Sequence, residues 1–288
     1  MNVPMVCFIT WNRAGIAAKN LTALLNTKDD FELHIVDNNS KDNIWDFIVK
    51  LDDKRIKSKT RLDLNRGVIY ARNYVLKKRK KDQFFIMIDD DVCLYTPNWI
   101  SEYMKVMNAF PQVGLLGALR DTYFKEKNLA LDLSSKEGIS YYPYEKIIGC
   151  CVCIRPEVFN YIGYFNEETY GNSMDTNMRV NDYTPFHTGI IPTIKLKQPQ
   201  SIKCSDCVLK KSCPLANNSK KCYQVFTSNA EFAKKRLTKN MERYLKELKL
   251  GKRTVYCASI HDHISMEKYV YHKEWAEENF RFFIEYAN

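Results

Sequence analysis

The chain has 288 residues, 45% of them hydrophobic and 27% charged, which is the make-up of one sizeable folded unit and excludes a disordered or fibrous chain. No apolar run approaches the roughly 20 residues of a membrane span, and Met1–Thr10 lacks a basic region ahead of an apolar core, so a soluble, unprocessed, cytoplasmic protein is expected. The net charge of +10 arises largely from basic runs at 77–81, 210–211, 220–221 and 234–236, which suit either solvated faces or a polyanionic partner such as DNA.

Val6–Thr10 reads as a strand, Trp11–Gly15 as a polar turn, and Ile16–Leu25 as a helix with Ala17, Leu21, Leu24 and Leu25 on one side. Phe31–Val36 repeats the strand, Asp37-Asn38-Asn39-Ser40 the turn, and Ile44–Leu51 the helix. A short strand near Arg55–Thr60 follows, and Asn65-Arg66-Gly67 opens a helix running toward Lys77. Strands alternating with helices predict an α/β fold with a mainly parallel sheet whose polar strand ends line one rim. The next strand, Phe84–Ile88, is apolar without alternation, as in a strand covered on both faces. It ends in Asp89-Asp90-Asp91. Side chains alternate along extended chain, so Asp89 and Asp91 point together and Asp90 points back; two hard oxygen ligands suit Mn²⁺ or Mg²⁺ shared with a substrate diphosphate. A water-solvated acidic turn is the competing reading.

Four of these stretches together resemble a known family: Phe8-Ile9-Thr10-Trp11-Asn12-Arg13, Ile35-Val36-Asp37-Asn38-Asn39-Ser40, Asn65-Arg66-Gly67 with Ala71-Arg72-Asn73, and Asp89-Asp90-Asp91. In that order and spacing they are similar to the nucleotide-binding half of family-two glycosyltransferases, which have the GT-A fold. The resemblance implies that Thr10, Asn12 and Arg13 border a donor nucleotide, with Asp90 counted among the donor-binding residues. It further implies that Asp37 bonds the base or ribose, that Asn65 and Arg72 shape the nucleotide pocket, and that Asp89 and Asp91 hold the metal. A nucleotide-diphosphate sugar is the implied donor, with a UDP-sugar favoured. Asp37 and Arg72 also have plain readings, as a turn former and as a helix-surface residue.

Beyond Asp91, Asn98–Phe110 reads as an amphipathic helix and Val113–Leu119 as a strand. Residues 121–136 read as a polar excursion whose aromatics Tyr123 and Phe124, with Tyr141, Tyr142 and Tyr144, serve either core packing or an acceptor. Ile147–Arg155 is predicted as a strand in which Cys150, Cys151 and Cys153 are buried small residues, since neighbours along a strand point opposite ways and do not chelate. Met174-Asp175-Thr176-Asn177 resembles the block that carries the family's catalytic base, which makes Asp175 the base. Members usually have Glu where Met174 stands and Asp where Asn177 stands; Glu167, Glu168 and Asp182 are reserves. The plain reading of Asp175 is a helix N-cap.

After a strand at Ile190–Leu196 come Cys204, Cys207, Cys213 and Cys222, four thiols in a lysine-rich segment foreign to the family pattern. That set suits structural Zn²⁺, then a four-iron cluster, then disulfides or free thiols. Ser228 and Glu231 form a capping box for a helix to about Leu250 before Gly251. Thr254–Ile260 is expected as the last strand and Met266–Tyr286 as the closing helix. The resemblance implies that His261 or His263 completes the divalent-metal site. The expected organisation is a nucleotide-sugar half at 1–95, an acceptor half of the same domain at 96–198, a four-cysteine insertion at 199–225 and a C-terminal part at 226–288. The expected function is a metal-dependent, inverting glycosyltransferase with a glycan, protein or modified nucleic acid as acceptor. The rivals are a zinc-containing nucleic-acid-binding protein without transferase activity, and a transferase acting on modified DNA bases.

Overall fold

The computed structural model describes residues 2–120, 132–147, 149–169, 173–197 and 239–287. Four strands, β1 (Met5–Thr10), β2 (Glu32–Asp37), β3 (Ile56–Arg61) and β4 (Phe85–Asp89), form a parallel block in the order β3-β2-β1-β4. Their crossovers carry α1 (Ala14–Leu25), α2 (Ile44–Lys50) and α3 (Val68–Leu76). The short β5 (Cys93–Leu94) and α4 (Trp99–Ala109) lead into β6 (Val113–Arg120). A hairpin follows, β7 (Ser134–Lys136) and β8 (Ile139–Pro143), then β9 (Cys151–Ile154), α5 (Val158–Ile162), α6 (Ser173–Tyr183) and β10 (His187–Lys197).

The α/β expectation holds, but parallel pairing dominates only the first half. Beyond β4 the order runs β9-β6-β10-β8-β7; β9 is antiparallel to both β4 and β6 because the chain enters it from the opposite end of the sheet. β10 returns parallel to β6 and antiparallel to β5 and β8. The two expected halves thus share one continuous sheet.

Burial on both faces accounts for the unbroken apolar strands. Val6 and Phe8 of β1, with Phe84, Ile86 and Ile88 at β4, join a core with α1, α2 and α4; Met5, Cys7, Phe85 and Met87 point the other way, into a core with α3, α5 and α6. Each fully buried side chain of this size contributes about 1.5–3 kcal/mol. Tyr141 belongs to the first core, 4.8 Å from the Phe110 ring centroid, with its hydroxyl 2.7 Å from His187 Nε2. Its aromatic bulk is spent on packing. Tyr123 and Phe124 lie outside the described residues.

The C-terminal part departs from expectation. Thr254–Ile260 is not a strand: among the described residues it pairs through isolated bridges, Ser259 with Asp262, and Cys257 with Gly163 in the turn after α5. Gly163, at φ 64°, permits that approach; a Cβ there would stand 2.4 Å from the Cys257 carbonyl oxygen. Residues 239–249 are helical (α7), and the expected closing helix is two, α8 (His263–Lys268) and α9 (Lys273–Ala287), parted where Tyr271 and His272 turn to meet Glu167 and Glu168. Among the described residues no helix is long and apolar enough to cross a membrane.

Candidate active site

Strand register builds the rim. Thr10 stands beside Asp37 and Ile9 beside Asp89, so β1, β2 and β4 end side by side. The turns beyond them are laced together: Asn38 N–H donates to Thr10 O, Asn12 N–H to Ser40 Oγ and Lys41 N–H to Asn12 Oδ1, at 2.9, 2.9 and 2.6 Å. Asn12 adopts φ 51° to allow this. The first helix begins at Ala14, earlier than expected, because Asp42 from the neighbouring turn accepts the Ala14 N–H at 2.7 Å.

The triplet does not divide by strand alternation, because β4 ends at Asp89 and the next two residues are a turn: Asp90 and Asp91 share Arg13, and Asp89 alone meets Arg72. Asp90 points back into the first turn, accepting from Thr10 Oγ1 and Arg13 Nη1 at 2.9 Å, and more weakly from Trp11 N–H at 3.4 Å. Its backbone oxygen takes the Asn20 amide at 2.6 Å. It therefore holds the turn that carries Thr10 and Arg13. Asp91 Oδ2 lies 3.3 Å from the same Arg13 nitrogen, and Asp89 Oδ1 2.9 Å from Arg72 Nη2 on α3. The Asp89 side chain keeps 36% of its surface, yet it sits deep among protein atoms. That desolvation pushes its pKa up to about 7; Arg72 opposes the rise, and Asp91 and Asp90 add to it. Burial likewise raises the Asp90 pKa, with Arg13 opposing. Carboxylates crowded enough to resist ionisation, with hard oxygen donors, fit a divalent cation.

Asp37 is wholly buried. Its Oδ1 accepts the Ser40 N–H at 3.0 Å, and its pKa is raised, burial outweighing the Ser40 hydrogen bonds and Arg61. Arg61, which the sequence reading missed, faces it across the β2–β3 register, with Nε 3.3 Å from Oδ2. Pairing β3 with β2 in parallel from the sequence would have found it. The buried Trp11 indole N–H has no hydrogen-bond partner among the described residues and is a second missed donor on this rim. Asn65 shapes its loop by accepting the Gly67 N–H at 2.8 Å; Gly67 sits at φ 90° under the Phe283 ring.

Between Arg72 and α6 lies a cleft lined by Gly149, Ser173, Thr176 and Asn177 over Met87 and Phe165. The last three polar residues were also not anticipated as lining.

A glycosyl transferase family 2 model matches residues 5–161, just over half of the chain. The chain belongs to glycosyl transferase family 2. Similar solved structures fall below 25% identity and bear on the fold alone. The mannosyltransferase PcManGT from Pyrobaculum calidifontis, in complex with GDP-Man and Mn²⁺, has 12% identity and a TM-score of 0.52, over 99% of this chain and 86% of that one. S. aureus TarS 1–349 in complex with UDP has 15% identity and a TM-score of 0.51, over 68% and 59%. GalNAc-T7 with UDP, GalNAc and Mn²⁺ has 14% identity and a TM-score of 0.50, over 67% and 42%. The alignments thus span less than two thirds of the TarS and GalNAc-T7 chains. No curated protein sequence matches.

The family-two match ends ahead of the remaining candidates, and the structure treats these differently. Asp175 lies in the first turn of α6, but its carboxylate is buried against Arg179, whose Nε and Nη2 both stand 3.0 Å from Oδ2 with neither side chain exposed. Thr176 and Ser173 of the same turn reach the cleft. Of the reserve acids, Glu167 accepts from Asn73, Ser259, Tyr271 and the Ile260 N–H, and Glu168 is paired with Arg253 at 2.7 Å, each side chain 1% exposed. Both acids staple the C-terminal part to the family domain.

His261 and His263 are not brought to the triplet. His261 packs on Tyr70 and Tyr74 of α3, and its Nε2–H donates to the Tyr70 carbonyl at 3.0 Å; burial drives its pKa down to about 4. His263 opens α8, exposed. Among the described residues no three His, Cys, Asp or Glu side chains gather as a metal group. Cys150, Cys151 and Cys153 are free and buried, as expected of small core residues. Cys204, Cys207, Cys213 and Cys222, with the Ser228–Glu231 capping box, lie outside the described residues.

Proposed function

We propose that this family-two chain is a metal-dependent, inverting glycosyltransferase that moves a sugar from a nucleoside-diphosphate donor, UDP in preference, to an acceptor hydroxyl. The observation that supports it is the register of β1, β2 and β4, in which Thr10 pairs with Asp37 and Ile9 with Asp89, with Arg13 and Asp91 in contact in the turns just beyond. Asp37, Arg61 and the Trp11 indole offer the acceptors and donors that a base and ribose require. Asp89 and Asp91 would hold Mn²⁺ or Mg²⁺, which when bound supplies positive charge against the leaving diphosphate. Arg13 and Arg72 add guanidinium groups suited to phosphate oxygens.

Asp175 is assigned as the base that takes the acceptor proton, which requires its sealed pair with Arg179 to open first, and a single displacement at the anomeric carbon then inverts it. The support is its turn of α6, whose Ser173 and Thr176 line the cleft. His261 would reach the metal only after its contacts with α3 are exchanged, and His263 would have to do so from its exposed place at the start of α8. A structural Zn²⁺ on Cys204, Cys207, Cys213 and Cys222 rests on their spacing, and elemental analysis of the purified protein tests it.

The nucleic-acid readings draw on the basic runs, of which only 77–81 falls among the described residues. There Lys77 pairs with Asp262, Lys80 with Glu32, and Arg79 donates to the carbonyls of Lys80, Lys81 and Gln83. That run is engaged with its own chain, so we favour a hydroxyl acceptor without committing it to DNA.

The test is a melting-temperature screen of nucleotide sugars with Mn²⁺, followed by turnover on the best donor. Asp91→Ala should abolish metal-dependent donor binding and lower transfer by about 10²–10³-fold, the scale seen when one stabiliser of transition-state charge is removed. Full activity would remove the metal assignment. Asp175→Asn should keep donor binding and lose about 10²–10⁴-fold in transfer; an unchanged rate moves the base elsewhere.

A further inference from the structure

Two arginines hold the triplet. Arg72 Nη2 reaches Asp89 Oδ1 at 2.9 Å and the Gly149 carbonyl at 3.3 Å, and its side chain is only 11% exposed. Arg13 Nη1 bridges Asp90 Oδ1 at 2.9 Å and Asp91 Oδ2 at 3.3 Å. One oxygen of each carboxylate, Asp89 Oδ1 and Asp91 Oδ2, is thus engaged by a guanidinium. A divalent ion that uses Asp89 Oδ1 has to displace a guanidinium that is nearly sealed from water, and an ion on the other oxygen faces that like charge at short range.

Resting on the proposed metal site, we infer that Arg72 makes metal and donor binding mutually dependent: it competes with the metal for Asp89 until a nucleoside diphosphate offers it another anion. A diphosphate suits the exchange. Its oxygens accept the forked guanidinium N–H groups that Asp89 gives up, and they balance the charge that the metal brings. Arg72 lines the cleft beside Asp89, so no more than a side-chain swing is needed. The metal alone then binds weakly and the nucleotide alone binds weakly, while each tightens the other by the same factor. Arg13 plays a lesser part, because it is held chiefly by Asp90, which stays in the first turn.

The experiment is Mn²⁺ titration followed by electron paramagnetic resonance, with and without UDP, on the whole chain and on Arg72→Met. The variant should bind Mn²⁺ alone about tenfold more tightly, and the factor by which UDP improves Mn²⁺ binding should fall about tenfold, within the usual range for coupled sites. Arg72→Lys, which keeps a charge but not the fork, should lie between the two and serves where Arg72→Met fails to fold. Unchanged or weaker Mn²⁺ affinity in the folded variants overturns the inference. If the parent chain binds Mn²⁺ and Asp91→Ala does not, the metal reading survives that result. If the parent chain binds no Mn²⁺ even with UDP, both fall.

Discussion

Two sets of acid–arginine pairs divide this molecule. On the rim, Asp89 and Asp91 meet Arg72 and Arg13, and Asp89 and Arg13 each keep 36% of their side-chain surface. Away from the rim, Asp175–Arg179 within α6 and Glu168–Arg253 between distant segments are closed off at 0–1% exposure. The chemistry of the partners is the same, and access to water separates their tasks. A sealed pair such as Glu168–Arg253 anchors one stretch of chain to another and is expensive to break, whereas Asp175–Arg179 ties one turn of α6 to the next. A pair at the edge of a cleft can exchange partners with a ligand.

The largest expected effect comes from breaking a sealed pair. Arg253→Met leaves Glu168 buried without its cation and should destabilise the protein by about 3–5 kcal/mol in urea denaturation. Asp91→Ala, by contrast, should stay within about 1 kcal/mol of the parent, with its loss confined to metal and donor. Equal stability losses in the two variants would erase the distinction between anchor and site.

A smaller effect sharpens the contrast through pH. His34 is 6% exposed, 2.7 Å from Ser58 Oγ, and burial, aided by Lys78, pushes its pKa down to about 4. An unfolded chain protonates near 6.5, so the folded state resists a proton that the unfolded state takes. Stability is full above pH 6.5 and falls as pH drops from there toward 4, by up to about 3 kcal/mol. His34→Asn should flatten that acid limb when urea midpoints at pH 7 and pH 4.5 are compared; an identical slope would place the pH dependence in other groups. The smallest effect is expected at Lys80, 55% exposed beside Glu32: Lys80→Gln should cost under about 1 kcal/mol.

Much of the rim was legible in the sequence because parallel βαβ units set register and strand ends by local rules. Apolar runs without alternation marked β1 and β4, but alternation misjudged the triplet, since the chain turns after Asp89 and Asp90 and Asp91 share Arg13. Arg61 and the Trp11 indole were missed, since each acquires meaning only from a strand or turn beside it in space. The C-terminal part was misread for a similar reason. Thr254–Ile260 has a strand's composition, but a strand needs a partner along its length, and among the described residues this segment makes only isolated bridges, at Gly163 and Asp262. Asp175 is singled out by pattern alone, and its burial against Arg179, which the pattern does not show, depends on how α6 packs.

Glu167 gathers partners from across the whole chain: Asn73, 94 residues earlier, and Ser259, Ile260 and Tyr271, 92, 93 and 104 residues later. Loop entropy does not separate these contacts from the β1–β4 pairing, which itself joins Met5 to Phe85. Chain order does: Ser259, Ile260 and Tyr271 follow every described strand, so the sheet can form while this carboxylate is still hydrated. Pulse-labelled hydrogen exchange should show the Ile260 amide gaining protection after the amides of β1 and β4; simultaneous protection would mean that the staple closes with the sheet.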